Sequence, residues 1–147
     1  MVDQTLNCEL CREAGGEIVW QDDLCRVLRV RDADYPGFCR VVWRRHVQEM
    51  SDLPGVDRRH LMSVVCAVEA ALRSLLRPDK INLASLGNMV PHLHWHIIPR
   101  WHDDRHFPQP IWASPQRPAS TPRADARDAA LHDAIVQALA EEHGGEL

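Results

Sequence analysis

The chain has 147 residues, 45% of them hydrophobic and 26% charged, which is the composition of a single globular domain and excludes a disordered or fibrous protein. With 17 Lys and Arg against 21 Asp and Glu, the formal net charge of -4 argues against nucleic-acid binding, which requires a broad basic face. No apolar run reaches the ~18 residues of a membrane span, and no secretory signal is recognised, so we expect a cytoplasmic protein that does not enter membranes.

The first part of the chain predicts three short strands. A Gly-Gly turn precedes a strand at residues 17–20. Residues 24–30 then alternate apolar and polar side chains, residues 32–37 carry turn chemistry, and residues 38–43 are again mostly apolar. This order predicts an antiparallel pair of strands joined by a loop.

The middle of the chain predicts one long helix and two further strands. Apolar residues recur at helical spacing over residues 61–76, after helix-start residues at 51–57 and before Pro78. Residues 81–86 alternate as a strand, and residues 92–98 alternate again before a second proline.

The last part of the chain has a different composition. Residues 113–122 are rich in proline and predict an extended strap, and the alanine-rich residues 123–142 predict a terminal helix that the Gly144-Gly145 pair ends.

Together these elements predict an α+β fold. We expect about five mostly antiparallel strands, one long packed helix, and a C-terminal strap and helix. The predicted main domain covers residues 1–112, and residues 113–147 are expected to pack on the same domain or on its partner.

Three alternate histidines, His92, His94 and His96, form the most informative part of the sequence. Because side chains alternate along a strand, the three imidazoles are expected on one face and the residues between them on the core face. Packing alone explains such a cluster poorly, since every buried ring nitrogen needs a hydrogen-bond partner.

Two interpretations of this cluster compete. All three imidazoles could bind one catalytic Zn²⁺ that keeps an open position for water. Alternatively, one neutral imidazole could attack phosphorus while a protonated neighbour assists the leaving group.

The cysteines favour the second interpretation. The chain has five cysteines, and an odd number without a secretory signal indicates thiols or metal ligands rather than disulfides. Cys8 and Cys11 are spaced as half of a structural zinc site, and His46 and His92 could supply the other two ligands. That leaves the other two triad histidines for chemistry.

The remaining cysteines, histidines and aromatic residues are assigned ordinary roles. Small core residues are predicted at Cys25, Cys39 and Cys66. Solvated side chains are predicted at His60, His102, His106 and His132. Trp101 and Trp112 flank the loop after the triad and belong either to the core, to a dimer interface or to a base-stacking surface, and Arg100 could attract phosphates.

Residues 92–98 follow the order His, apolar, His, apolar, His, apolar, apolar, which resembles the histidine triad (HIT) family. The resemblance covers roughly residues 8–112 and includes the CxxC pair and the strand that ends in Arg45-His46. Within that family the sequence is similar to bacterial dinucleoside polyphosphate hydrolases. The resemblance implies a homodimer and a HIT-like fold.

The resemblance also implies roles for the three histidines. His94 resembles the nucleophile that attacks the α-phosphate and forms a nucleotidyl-histidine, which water then cleaves. His96 resembles the third triad histidine, whose main chain helps to hold the nucleophile and whose ring contacts the phosphate or leaving group. His92 resembles the residue that completes a structural zinc site with Cys8, Cys11 and His46.

Three further residues are expected at the nucleotide by the same resemblance. Asp32 lies in the loop that contacts the ribose hydroxyls, and Asn82 and Asn88 look like the polar residues that approach the phosphates. The sequence departs from the family at Phe38, where many relatives carry a histidine that orders the triad. We expect this change to affect rate or substrate preference.

The expected function is therefore hydrolysis or transfer at the α-phosphate of a nucleotide, with dinucleoside polyphosphates such as diadenosine tetraphosphate as the leading substrate class. Alternatives are hydrolysis of purine nucleoside phosphoramidates, a non-catalytic nucleotide-binding module, and a catalytic-zinc hydrolase. The expected cofactor is a structural zinc ion, with no catalytic metal and no organic cofactor.

Overall fold

The computed structural model describes residues 5–144 and confirms the predicted α+β class. The strands are β1 (Glu17–Gln21), β2 (Cys25–Arg29), β3 (Cys39–Trp43), β4 (Lys80–Ala84) and β5 (His94–Arg100). The helices are α1 (Glu9–Arg12), α2 (Gly55–Leu76) and α3 (Asp128–Gly144), with a 3-10 turn at Met50–Asp52. Within the described residues, no helix is both long enough and apolar enough to cross a membrane.

The five strands form one antiparallel sheet in the order β1-β2-β3-β5-β4. Side chains on one face pack against α2 and α3 and form the main core, which includes Val27, Val41, Trp43, Leu93 and Ile97. The opposite face carries the polar residues of β3 and β5. The alternation predicted for the triad strand therefore holds for its apolar residues, which face the core.

The long helix begins earlier than the apolar spacing indicates. α2 starts at Gly55, whereas the periodic apolar residues start at Leu61. The first turns are largely solvated, with Val56 63% exposed, so they add nothing to the apolar stripe. Arg77 ends the helix in the left-handed conformation, with φ of 49°, and its N–H bonds to the carbonyl of Arg73.

The triad strand begins two residues later than predicted. β5 starts at His94, and His92 lies in the loop that precedes it. The expectation that all three imidazoles project from one strand is therefore wrong for His92. At the other end β5 continues through Pro99, which pairs with Ile81 of β4. Because β3 pairs with β5 only as far as Ile97, the proline interrupts no ladder on that side.

The turn between β2 and β3 depends on a glycine. Gly37 has φ of +80°, and a Cβ at this position would meet the side chains of Leu72 and Leu76. A glycine is required here both by the backbone conformation and by the close approach of α2. The turn delivers Phe38 directly to the start of β3.

The chain crosses the surface from residue 113 to residue 127 without regular structure and then enters α3. Leu131 and Ile135 are fully buried against α2 and the sheet. The helix starts at Asp128, five residues after the predicted start at 123, and runs to Gly144. Gly145, the second residue of the predicted stop signal, lies outside the described residues.

Three predictions for single residues are wrong. Cys66 is exposed on α2 rather than buried. His106 is 9% exposed rather than solvated, and its Nδ1 is 2.5 Å from the Tyr35 hydroxyl. Arg100 is buried and bonds to Asp104 at 2.7 Å, so its charge is paired with a carboxylate inside the fold rather than presented to a phosphate.

Candidate active site and metal centre

Two cysteines and two histidines from distant parts of the chain meet beside α1. The Nδ1 atom of His92 is 3.4 Å from Cys8 Sγ, 3.4 Å from Cys11 Sγ and 3.2 Å from His46 Nδ1. Cys11 Sγ and His46 Nδ1 are also 3.4 Å apart. The four donor atoms all lie within 4.8 Å of one another, so these residues could hold a metal ion.

The geometry of this cluster fits a tetrahedral site. Ligands about 2.0–2.3 Å from a tetrahedral ion lie roughly 3.3–3.8 Å from one another, close to the separations found here. His92 Nε2 donates to the carbonyl of Trp43 at 2.6 Å, which leaves Nδ1 unprotonated and able to ligate. Burial also lowers the pKa of His92 and so favours the neutral, ligating form.

The side chain of His94 is fixed by a backbone contact of the same loop. Its Nδ1 is 2.6 Å from the carbonyl oxygen of His92. A carbonyl can only accept, so Nδ1 carries the proton and Nε2 holds a free electron pair. Burial lowers the pKa of His94 and so keeps that electron pair available at neutral pH. The hydroxyl of Ser85 donates to the carbonyl of His94 at 2.7 Å and holds the start of β5.

This arrangement corrects one detail of the sequence-based assignment. The main chain that orients His94 belongs to His92, whereas the resemblance assigned that contact to the main chain of His96. Since His92 also belongs to the metal cluster, the cluster and the candidate nucleophile share one residue.

The ring of His96 lies between His94 and Phe38. It stacks on Phe38 with an interplanar angle of 3° and a centroid separation of 5.9 Å, and it meets His94 edge-on at 4.9 Å. Burial, with the nearby charges of His94 and Arg40, lowers the pKa of His96 to about 4. His96 is therefore neutral at pH 7 in the free protein, and the ring of Phe38 packs flat against it.

A cavity of about 500 Å³ opens beside these two histidines. Its walls include His94, His96, Arg40, Asn88 and Trp112, together with apolar residues of the loop before β5. Trp112 is 51% exposed and meets His96 edge-on at 5.0 Å. The cavity thus combines two imidazoles, a cation and an aromatic surface.

Two predicted nucleotide contacts lie elsewhere. Asn82 Oδ1 accepts a hydrogen bond from Arg100 at 2.7 Å, and Asp32 Oδ1 accepts one from the backbone N–H of Asp34 at 2.9 Å. Neither residue is among those that line the cavity. Trp101 is buried at 6% exposure beside Arg123, which leaves Trp112 as the tryptophan at the site.

Two residues of the site were not found from the sequence. Arg40 was an unremarkable polar residue of a strand, although its register opposite His96 follows from pairing the two strands. Ser85 belonged to a predicted strand and gave no local signal for a contact with His94.

A second group of possible ligands has a simpler explanation. Asp22, Cys25 and His60 also bring their donor atoms within 4.8 Å. His60 Nε2 already bonds to Asp22 Oδ2 at 2.7 Å, and burial raises the pKa of the Cys25 thiol. His60 is therefore a half-buried partner of Asp22 rather than a fully solvated residue.

The three triad histidines do not form such a group among residues 5–144. The Nδ1 atom of His92 faces the cysteines, and that of His94 is bound to a carbonyl. This geometry argues against a zinc ion shared by the whole triad.

Comparisons with known proteins agree with this fold. A profile of the HIT domain matches residues 12–103. AP-4-A phosphorylase of Mycobacterium tuberculosis is 31% identical over 78 residues, which is 49% of this chain and 40% of that protein. The matched part of the chain therefore spans less than half the length of that relative.

Solved structures of histidine triad proteins share this fold. A histidine triad protein from Bradyrhizobium japonicum has a TM-score of 0.63 and 32% identity over 96% of each chain. A zinc-bound histidine triad family protein from Mycobacterium smegmatis has a TM-score of 0.59 and 18% identity, and the match covers 97% of this chain and 99% of that chain. At that identity the second likeness concerns the fold alone. Since the domain profile matches well over half of the chain, the protein belongs to the HIT family.

Proposed function

We propose that the protein cleaves nucleotides at the α-phosphate through a covalent nucleotidyl-His94 intermediate, and that dinucleoside polyphosphates such as diadenosine tetraphosphate are its substrates. The observation that carries the proposal is the 2.6 Å contact between His94 Nδ1 and the His92 carbonyl. It fixes the tautomer in which Nε2 carries a free electron pair, as a nucleophile requires. The relative named AP-4-A phosphorylase supports the substrate class.

In the first step, His94 Nε2 attacks the α-phosphorus. A P–N bond forms, and the P–O bond to the rest of the polyphosphate chain breaks with its electron pair on the departing oxygen. The ring becomes positive, and the His92 carbonyl that accepts from Nδ1–H stabilises this charge. The cavity wall formed by Arg40 supplies a positive charge beside the departing group.

In the second step, an oxygen nucleophile attacks the α-phosphorus from the side opposite the P–N bond. That bond breaks, the electron pair returns to Nε2, and the proton of the nucleophile passes to solvent or to the released group. Water gives a nucleoside monophosphate, whereas inorganic phosphate gives a nucleoside diphosphate. We infer hydrolysis, and the name of the mycobacterial relative makes phosphorolysis the second candidate.

Product analysis separates these possibilities. With diadenosine tetraphosphate, hydrolysis yields AMP and ATP, and phosphorolysis yields ADP and ATP in proportion to added phosphate. Turnover of adenosine phosphoramidate without turnover of diadenosine tetraphosphate would support the phosphoramidate alternative. Binding of AMP without turnover of either compound would support a non-catalytic nucleotide-binding module.

The variant His94→Ala tests the nucleophile. We expect it to lose turnover by several orders of magnitude and to lose the mass increase of one nucleotidyl group in protein quenched at alkaline pH. His102→Ala is the matched control, because the His102 side chain is 75% exposed and lies outside the cavity. Turnover by His94→Ala equal to that of the wild type would eliminate the proposed mechanism.

We also propose that Cys8, Cys11, His46 and His92 bind a structural zinc ion. Two thiolates and two imidazoles at tetrahedral spacing are a donor set that zinc prefers. The ion would fix the loop before β5, while the nucleophile stays free of metal. A metal count near one per chain that falls for Cys11→Ser and not for Cys66→Ser is the expected result.

Three further features that the resemblance implies remain predictions. Asn88 lines the cavity beside His94 and His96 and is proposed to contact the phosphates. A role for Asn82 or Asp32 at the nucleotide requires a rearrangement from the contacts described above. The homodimer that the resemblance implies is tested by the mass of the protein in light scattering.

A further inference from the structure

Arg40 is a cation in the wall of the cavity, and the proposed roles of the triad histidines do not explain its presence there. It lies on β3 directly opposite His96 of β5 in the antiparallel register. Both residues line the cavity of about 500 Å³ that also contains His94. A guanidinium group is therefore placed beside the candidate nucleophile by strand pairing, which is among the most rigid placements that the fold offers.

This guanidinium has no polar partner within residues 5–144. Its Nε is buried and without a hydrogen bond, and its nearest ring contact is the face of Phe38, with Cζ 5.9 Å from the centroid. Glu9 also lines the cavity and its charge acts on Arg40, but no ion pair closer than 4.0 Å joins them. Since arginine stays charged at all ordinary pH values, Arg40 is a cation that Glu9 offsets only from beyond ion-pair distance.

Two other arginines of the sheet are buried and have carboxylate partners. Arg29 is fully buried and pairs with Asp125 at 2.6 Å. Arg100 is buried and pairs with Asp104 at 2.7 Å. A half-buried arginine that lacks such a carboxylate, in a cavity with a nucleophile for phosphorus, is suited to an anion that arrives with the substrate.

The other walls of the cavity suit a different part of a nucleotide. Leu86, Met89 and Trp112 are 54%, 93% and 51% exposed and line the same cavity. An apolar, partly aromatic surface accommodates a flat nucleobase, whereas a planar guanidinium fork matches two phosphate oxygens. The base and the polyphosphate chain are therefore expected to use different walls.

We propose that Arg40 binds a phosphate of the departing polyphosphate chain, beyond the α-phosphate, and thereby selects dinucleoside polyphosphates over phosphoramidates. The inference rests on the proposed function and adds its specificity-determining residue. A phosphoramidate loses an amine, which offers no oxygen to a guanidinium. A polyphosphate leaves with additional negative charge, which Arg40 stabilises as the P–O bond breaks.

The test compares two substrates across three variants. Arg40→Met keeps the length of the side chain and removes its charge, Arg40→Lys keeps the charge without the fork, and Arg44→Met removes an exposed arginine just beyond β3. We expect Arg40→Met to lower kcat/KM for diadenosine tetraphosphate about tenfold to a hundredfold, as for a lost charge-assisted hydrogen bond. The same variant should change kcat/KM for adenosine phosphoramidate by less than about threefold. Arg40→Lys should recover part of the loss, and Arg44→Met should match the wild type.

Several outcomes would overturn the assignment. An equal loss on both substrates would mean that Arg40 serves the nucleoside or the histidines. No loss on either substrate would mean that it does not contact the substrate. Unfolding temperatures of the variants within a few degrees of the wild type show that any loss is local.

A binding measurement tests the role of Arg40 independently of the proposed catalytic mechanism. The catalytic proposal fails if the wild type forms no nucleotidyl-histidine and turns over neither substrate. In that case, calorimetry with inorganic tripolyphosphate and with AMP still tests whether Arg40 binds the polyphosphate chain. The expected result is that Arg40→Met weakens tripolyphosphate binding about tenfold and AMP binding much less. Equal affinities of wild type and variant for tripolyphosphate would overturn the role of Arg40.

Discussion

The imidazole of His96 is held in its neutral form by its surroundings. The ring is 7% exposed, stacks on Phe38, and lies near His94 and Arg40, whose charges oppose its protonation. Burial and these charges lower its pKa from 6.5 to about 4. As a consequence, His96 of the free protein has no proton to donate from a charged ring at neutral pH.

This depressed pKa predicts a pH dependence of stability. Between pH 6.5 and about 4 the unfolded chain binds a proton at His96 that the folded chain does not, so stability falls as the pH falls through this window. The full effect is on the order of 3 kcal/mol. Urea unfolding of wild type and His96→Gln at pH 7 and pH 4.5 measures it, because the difference between the two proteins isolates the contribution of His96.

His132→Gln is the control for this measurement, since the His132 side chain is 47% exposed. It should retain the pH dependence of the wild type. A wild type and His96→Gln variant that lose the same free energy of unfolding between the two pH values would contradict the depressed pKa.

Asp104 is a second residue whose environment determines its ionisation. Burial alone would raise its pKa, but hydrogen bonds from Arg100 and from the backbone N–H groups of Trp101, His106 and Phe107 lower it. Asp104→Asn leaves Arg100 as an unpaired buried charge and should cost about 3–5 kcal/mol of unfolding free energy. Chemical denaturation of the variant measures this loss.

Asp103→Asn provides the comparison at the neighbouring position. The side chain of Asp103 is 49% exposed and pairs with Arg123, so its loss should cost less than about 1 kcal/mol. Similar losses for the two variants would show that the buried network around Asp104 contributes little.

At the level of secondary structure, α3 completes the core that α2 and the sheet leave open. Ile135 is 0% exposed, whereas its neighbour Val136 is 43% exposed. Ile135→Ala should therefore lower the free energy of unfolding by about 2–4 kcal/mol, and Val136→Ala by less than about 1 kcal/mol. Equal effects in urea unfolding would mean that α3 is not packed as described.

Local burial patterns could be predicted from the sequence, whereas positions that depend on remote contacts could not. The alternation of Leu93, Trp95 and Ile97 correctly predicted the core face of β5, because burial of alternate side chains is a local pattern. It did not predict that His92 leaves the strand. That position depends on contacts with Cys8, Cys11 and His46, which are remote in the sequence.

The errors at single residues have the same origin. His106 lies in a polar loop and was predicted to be solvated, but its Nδ1 bonds to the hydroxyl of Tyr35, which is 71 residues away. Arg40 gave no signal by itself, since its importance comes from the register of β3 against β5. Partners that lie more than about ten residues away set these environments, and a local pattern does not contain them.

For the whole molecule, the candidate metal centre joins the N-terminal segment to the ends of the neighbouring strands β3 and β5. Cys8 directly precedes α1 and Cys11 lies within it, His46 follows β3, and His92 precedes β5. The carbonyl of His92 in turn orients His94. Loss of a bound ion would therefore release both the N-terminal segment and the backbone that positions His94.

This connection predicts a response to chelation that can be measured without an activity assay. Removal of zinc from the wild type should lower Tm by at least about 5 °C, because each kcal/mol lost corresponds to about 3 °C for a domain of this size. The double variant Cys8→Ser, Cys11→Ser should begin at the lower Tm and not respond to chelator, whereas Cys66→Ser, altered at an exposed thiol, should respond as the wild type does. Added zinc should restore the wild-type Tm. An equal fall in the double variant would show that the chelator acts elsewhere and that these four residues do not tie the three segments together.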